Sequence, residues 1–374
     1  VQYREYGKTG KRVSALGYGA MRLPFDDPEE SVALLQLGLD LGINYLDSAY
    51  GYGGGLSETY VGRAIKDRRD QVYIATKNPL HDETPEGWWQ RLETSLERLQ
   101  TDRIDFYKVV HGMTWDTFTR LYEKQLHALA LKAQAQGLIG HLAFSCHDAP
   151  ENMMKLIDTG LFDGMLMQYN LLDRTNEEVI AYAHQRGMGV EIMGPVGGGR
   201  LGMASEPLQS MLPGKVTTPE LALRFVLSNP GVTVAFSGMN TRAQVQENCA
   251  LAGRGASLSE DEVSAIRTAL AENQRLAELY CTGCGYCLPC PEGVAIPDIF
   301  AAMNLHRVWG LTGPARERYR RLGPDNRRGK MSAAACVECG QCEEKCPQSI
   351  SIREQLKETH QVLSGEDYST SCVA

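Results

Sequence analysis

Eight of the 11 cysteines fall in two tight runs late in the chain. The first run is Cys281, Cys284, Cys287 and Cys290, with two residues between neighbours and Pro291 directly after. The second is Cys336, Cys339, Cys342 and Cys346, spaced by two, two and three residues and followed by Pro347. Three thiolates at this spacing wrap the corners of an iron–sulfur cube, and the fourth, before a proline, reaches to a neighbouring cube. The pattern therefore predicts two [4Fe–4S] clusters. Cys281, Cys284, Cys287 and Cys346 are assigned to one; Cys336, Cys339, Cys342 and Cys290 are assigned to the other. Zinc is the rival, since four cysteines in two paired motifs suffice for a tetrahedral site. A disulfide scaffold is disfavoured, because such chains are short and spread their cysteines throughout.

A second set, Asp47, Tyr52, Lys77 and His111, suits proton transfer to a carbonyl oxygen. A phenol becomes a better proton donor when a nearby ammonium stabilises its phenolate. Lys77 could serve as that ammonium, Asp47 could keep Lys77 charged, and His111 could orient the carbonyl. Each residue alone has a plainer reading, as a packed aromatic or a solvated cation. Their occurrence in this order, on successive elements, is what argues for chemistry.

The elements that must position this set are eight short apolar runs, at residues 13–16, 43–46, 72–75, 106–110, 142–144, 165–167, 190–193 and 232–236. Amphipathic segments alternate with them, at 28–41, 58–66, 88–99, 118–136, 152–159, 177–186 and 219–228. Such alternation predicts a parallel sheet covered by helices, and eight units close most economically as an α/β (β/α)8 TIM barrel. An open doubly wound sheet is the alternative, but no GxGxxG follows the first strand. Barrel enzymes place their chemistry just past the strands. Those positions are Gly19, Asp47, Lys77, His111, Ser145, Gln168, Met193 and Ser237. The composition changes near residue 276. We therefore expect a barrel over 1–275 and a small two-cluster iron–sulfur domain over 276–374, with the Arg-rich stretch 307–330 as a helix–loop excursion or linker between the cysteine runs. The net charge of −8 argues against nucleic acid or an anionic membrane as partner. No apolar run approaches the roughly 18 residues of a membrane span, and the first ten residues lack an apolar leader core, so a cytoplasmic location is expected.

The motifs also resemble a known family. Tyr3 to Gly10, together with Val13 to Gly19, looks like the opening of an aldo-keto reductase. Asn44 to Gly53 resembles the family segment that carries the catalytic Asp and Tyr, Tyr73 to Lys77 the strand with the Lys, and Leu99 to His111 the strand with the His. Similarity continues through Gly140 to Ser145, Gln168 to Asn170 and Glu247-Asn248. The second cysteine run is similar to that of bacterial ferredoxins, so the chain resembles the family subset with a C-terminal ferredoxin-like domain. The resemblance implies a nicotinamide cofactor, NADP or NAD, held by Gly19, Met21, Ser145, Gln168, Met193, Pro195, Ser237 and Asn248. Departures are visible. His111 lies one residue farther from Asp105 than the family spacing. Cys146 replaces the usual Asn after strand five. Leu166 stands where the family has Gln, leaving Gln168 on the same strand face as the substitute, and Met193 replaces an aromatic. Gly238-Met239 and Gln244 replace the Lys-Ser pair and the Arg that hold a 2′-phosphate, leaving Arg242 as the compensating cation. The glycines 197–199 permit close approach of a phosphate, or form a plain loop.

Together these features predict an NAD(P)-dependent oxidoreductase that interconverts carbonyl and alcohol on a small polar molecule. Arg22, Trp115 and His147 are placed at its mouth. A hydride carries two electrons and a cluster one, so a ferredoxin or flavoprotein electron partner is expected if the clusters work in turnover. The alternatives are a nicotinamide-free one-electron reductase fed by the clusters, clusters with a structural role only, and an electron carrier with a vestigial barrel.

Overall fold

The computed structural model describes residues 1–212, 214, 216–253, 257–278, 281, 285–346 and 350–365. Cys284 lies outside these residues. The chain opens with an antiparallel hairpin, β1 (Tyr3–Glu5) and β2 (Arg12–Ser14). Eight parallel strands follow: β3 (Leu16–Gly19), β4 (Tyr45–Asp47), β5 (Tyr73–Lys77), β6 (Ile104–Lys108), β7 (Ile139–Ser145), β8 (Gly164–Gln168), β9 (Gly189–Met193) and β10 (Val234–Ser237). They close in sequence order, with β10 pairing to both β9 and β3. The closed ring excludes the open doubly wound sheet.

Two expected strands shift. The run at 13–16 divides: Val13 and Ser14 belong to the hairpin, and the barrel strand begins at Leu16. The run at 106–110 ends as a strand at Lys108. Its last two apolar residues lie in the turn that leads to His111. The amphipathic stretch 118–136 is likewise two pieces, a π-helix Phe118–Leu126 and an α-helix His127–Ala135.

The floor of the barrel is filled by the hairpin. Tyr6 and Val13 pack into one buried cluster with Tyr45, Ala75, Phe106, Leu166, Val234 and Phe236. Tyr6 lies so close to β8 and β9 that a Cβ at Gly164 or Gly189 would overlap its ring, which explains glycine at both strand starts. Side chains alternate along each strand with period two. The residues two positions beyond the apolar layer therefore also face inward: Asp47 above Tyr45, Lys77 above Ala75, Lys108 above Phe106. The barrel's apolar floor thus carries a charged storey at the C-terminal ends of its strands.

The chain divides into two compact units, Val1–Gly199 with Ala222–Leu258, and Arg200–Leu221 with Ser259–Ala374. In the second, helices Ile296–Arg307, Thr312–Arg320 and Ile352–Ser364 pack on one another. The helix Thr312–Arg320 shows that part of the basic stretch is ordered structure. Their shared core includes Ile299, Phe300, Tyr319 and Leu356, all buried. Tyr319 hydroxyl lies 2.7 Å from His360 Nδ1 and accepts from Ala333 N at 3.2 Å, tying the third helix to the segment before Cys336. A parallel bridge between Val294 and Met331 joins the segments that follow the first cysteine run and precede the second.

Candidate functional site

Asp47 and Lys77 end adjacent strands and are almost fully buried, 4% and 1% exposed. Lys77 Nζ donates to Asp47 Oδ2 at 2.5 Å and to the Ser48 carbonyl at 2.6 Å. It also stands 4.8 Å from the centre of the Tyr52 ring. Burial alone would push the Lys77 ammonium down, but Asp47 and then Tyr52 outweigh it and hold it above the ordinary lysine value. Burial would likewise raise Asp47; Lys77 and Lys108 reverse this and hold its carboxyl below the usual range. The pair is therefore an ammonium and a carboxylate at neutral pH.

Tyr52 rides on the loop after β4, half-buried at the mouth. That loop is pinned at several points. Ser48 Oγ meets Ser57 Oγ at 2.7 Å, and Ser57 Oγ donates to the Ala20 carbonyl at 2.9 Å. Arg98 donates to the Tyr50 carbonyl at 2.9 Å, stacks on the Tyr50 ring and pairs with buried Glu58 at 3.2 Å. Glu58 in turn accepts from Thr76 on β5 at 2.6 Å. The phenol is thus positioned by β5 and a helix as well as by its own strand.

His111 does join the site despite its offset spacing. Its ring meets that of Tyr52 edge to face, with centroids 6.1 Å apart. The extra residue is taken up in the turn, where His111 N donates to the Asn78 carbonyl at 2.8 Å and Gly112 N to Ser145 Oγ at 2.9 Å. By surface area His111 is exposed; even so, desolvation by the protein around it and then the Lys77 charge push the imidazolium down to about 4, with Asp47 opposing. His111 is neutral at pH 7, so it can hydrogen-bond a carbonyl but is not the acid.

The other expected contacts are spread around the mouth. Ser145 is engaged by Gly112, and Ser237 Oγ accepts from Asn248 Nδ2 at 3.2 Å. Gln168 packs its amide on Gly194, Met193 leans on the floor cluster, and Pro195 is buried. Gly19 pairs in register with Asp47, whereas Met21 is 51% exposed. Arg242, the expected compensating cation, is paired with Glu30 at 2.7 Å. Of the residues placed at the mouth, Trp115 stacks on Phe118, and His147 is the least of the influences on His111. The surroundings suit an amide-bearing, phosphorylated cofactor on two counts. Asn170 Nδ2 is buried with no acceptor from the protein. Glycines 197, 198 and 199 all have positive φ, and a Cβ at 198 or 199 would meet nothing.

Two further buried charges complete this storey. Lys108 and Glu191 are both fully buried inside the barrel. Lys108 Nζ lies 3.0 Å from Asp47 Oδ1 and 2.6 Å from Glu191 Oε2. Glu191 Oε1 accepts from Tyr6 at 2.6 Å and Tyr45 at 2.5 Å. The sequence carries a signal for them: one charge in each of two otherwise apolar runs, 106–110 and 190–193, of opposite sign.

In the second unit, Cys290, Cys336, Cys339 and Cys342, the four assigned to one cube, line a single cavity with Cys287 beside them. Val294, Ile296 and Leu356 give it apolar walls. Burial comes first among the influences that push the Cys336 and Cys342 thiols up. Among the described residues, no three His, Cys, Asp or Glu side chains close on one point as a single ion requires. The cysteines instead surround a volume, an arrangement suited to a polynuclear group. Arg353–Glu343 (2.8 Å) and Lys357–Glu338 (2.7 Å) brace the second run against the last helix. The set Cys281, Cys284, Cys287 and Cys346 includes Cys284, outside the described residues.

Comparison with known proteins agrees with both halves. Residues 15–271 match the aldo/keto reductase family, and residues 280–351 match a 4Fe-4S dicluster domain. The chain is 26% identical over 299 residues to the uncharacterized oxidoreductase YqkF of Bacillus subtilis, covering 71% of this chain and 95% of that protein. It is 27% identical over 293 residues to L-galactose dehydrogenase of Arabidopsis thaliana, covering 70% and 91%. Among solved structures, the holo form of aldo-keto reductase AKR11C1 from Bacillus halodurans superposes with a TM-score of 0.65 at 29% identity, covering 72% of this chain and 96% of that one. The architecture is thus a TIM barrel followed by a ferredoxin-like iron–sulfur domain. No helix among the described residues is long and apolar enough to cross a membrane.

Proposed function

The chain belongs to the aldo/keto reductase family, and from that premise we propose that Tyr52 protonates the oxygen of a small polar carbonyl compound during its reversible reduction to an alcohol. The observation that carries this reading is Lys77, held as an ammonium by Asp47 and set against the Tyr52 ring. When bound, the reduced nicotinamide supplies a hydride to the carbonyl carbon. Neutral His111 donates a hydrogen bond to the carbonyl oxygen and orients it. The Tyr52 proton passes to that oxygen, and the remaining phenolate is stabilised by Lys77 until solvent returns the proton. Asp47 keeps Lys77 protonated throughout.

Gly19, Met21, Ser145, Gln168, Met193, Pro195, Ser237 and Asn248 are the proposed nicotinamide contacts, with Asn170 added from its unpartnered Nδ2. We favour NADH over NADPH. Gly238, Met239 and Gln244 offer no cation, and Arg242 is already neutralised by Glu30. Cys290, Cys336, Cys339 and Cys342 would hold one [4Fe–4S] cluster, and Cys281, Cys284, Cys287 and Cys346 another, supplying one-electron capacity. Because a hydride moves two electrons at once and a cluster one, exchange between them calls for a flavoprotein partner that splits the pair, and a ferredoxin would exchange single electrons with the clusters alone.

Two experiments test this reading. Anaerobic reduction of an aldehyde panel with each nicotinamide should show turnover that Tyr52→Phe abolishes. Adding substrate and nicotinamide, with and without a flavoprotein, should change the cluster absorbance only in the flavoprotein's presence. Reduction of substrate without any nicotinamide, by clusters reduced with dithionite, would instead favour a one-electron reductase.

A further inference from the structure

Barrel interiors of this type are filled by layers of branched apolar side chains. Here a lysine and a glutamate, both fully buried, stand in that interior. Stability does not account for them, because a buried ion pair is commonly no better than well-packed apolar residues of the same volume. Their placement relative to Asp47 does. Asp47 offers one oxygen to Lys77 at 2.5 Å and the other to Lys108 at 3.0 Å, and Lys108 lies 2.6 Å from Glu191. The four charges alternate in sign along one continuous line, from the mouth to the apolar floor. Tyr6 and Tyr45 hold the far end by donating to Glu191.

We propose that Lys108 and Glu191 are positioning residues that set how much of the Lys77 charge reaches Tyr52. The proposal rests on the reading of Tyr52 as the proton donor. Lys108 draws on Asp47 and so loosens the hold of Asp47 on Lys77; Glu191 draws on Lys108 and limits that effect. Removing the two charges should therefore act in opposite directions. Without Lys108, Asp47 neutralises Lys77 more fully and the phenolate is less stabilised. Without the Glu191 charge, Lys108 takes more of Asp47 and the phenolate is more stabilised. The groups that face Tyr52 directly are Lys77 from β5 and His111 after β6. Asp47 from β4 acts through Lys77, and His147 through His111. None of these is altered in either variant.

The test uses the full, cluster-loaded chain with an aromatic aldehyde such as benzaldehyde and NADH. The pH profile of kcat is followed into the alkaline range for the unsubstituted protein, Lys108→Met and Glu191→Gln. In parallel, tyrosinate absorbance is titrated for each and corrected with its Tyr52→Phe counterpart, which isolates the Tyr52 contribution without any substrate. The alkaline midpoint should move up by about one pH unit in Lys108→Met and down by a comparable amount in Glu191→Gln. The charge-balanced pair Lys108→Met with Glu191→Met should return it towards its starting place. Equal midpoints in all variants, or shifts in the same direction, would overturn the proposal even if kcat fell. If Lys108→Met fails to fold, Glu191→Gln decides alone, since Gln keeps the shape and can still accept from both tyrosines. Should Tyr52→Phe retain full activity, the failure lies with the proton-donor reading instead.

Discussion

The barrel and the cysteine unit solve the problem of gathering reactive groups in opposite ways. In the barrel, every charge at the centre is answered by another from the protein: Lys77 by Asp47, Asp47 by Lys108, Lys108 by Glu191. In the cysteine unit, five thiols line one cavity with only Lys345 and Arg353 as cations beside them among the described residues, and Arg353 is already paired with Glu343. Like groups brought together need an inorganic partner, and its binding energy then becomes folding energy. The barrel site is thus complete in its own side chains, whereas the cysteine unit is built around something it must acquire.

The largest expected effect breaks this contrast most sharply. Anaerobic chelation of iron should expose the amides of 285–346 and 350–365 to hydrogen exchange while those of β3–β10 stay protected. Uniform loss of protection across both units would remove the distinction. Next in size, Lys77→Met should lower kcat for aldehyde reduction by about a hundred- to ten-thousand-fold, as loss of a proton donor does, with the cluster spectrum intact. Lys108→Ala leaves two carboxylates facing a void and should cost roughly 3–5 kcal/mol in denaturant melts of the barrel, read from amides of β4, β6 and β9.

A smaller effect concerns His111. Its neutral form is the one required, and its imidazolium is pushed down to about 4. Activity that depends on it should therefore be full at pH 6 to 7, near the ordinary histidine value, and be lost only as pH falls towards about 4. His111→Gln should remove that acid limb. A limb at the ordinary histidine value would place the ring outside the Lys77 field. The smallest effect sharpens the cofactor choice. Glu30→Gln frees Arg242 and should raise kcat/KM for NADPH relative to NADH by about two- to five-fold, the scale of one exposed ion pair.

Much of this is legible in the sequence, for physical reasons. The eight short apolar runs gave the ring, because strands buried on both faces read as continuous hydrophobic stretches. Asp47, Tyr52 and Lys77 could be grouped because each ends or follows such a run. Cys290 is assigned across to the second run from the proline after it; the cavity it lines with Cys336, Cys339 and Cys342 is also lined by Cys287. The same rule hid the rest. Lys108 sits within an apolar run and was absorbed into it, and Glu191 was passed over between Val190 and Ile192. Residues 13–16 read as one strand because neither composition nor alternation marks where a hairpin ends and a barrel begins. Arg242 was expected to be available; its pairing with Glu30, 212 positions away, depends on tertiary contact alone.

The most direct test of the central claim is label transfer. The protein, purified anoxically, is supplied with an aldehyde and with NADH deuterated at the transferable position, and the alcohol is analysed for deuterium at the former carbonyl carbon. The unsubstituted chain should give one deuterium per alcohol formed, and Tyr52→Phe should give no product. Alcohol carrying only solvent hydrogen at that carbon, or undiminished product from Tyr52→Phe, would contradict that claim.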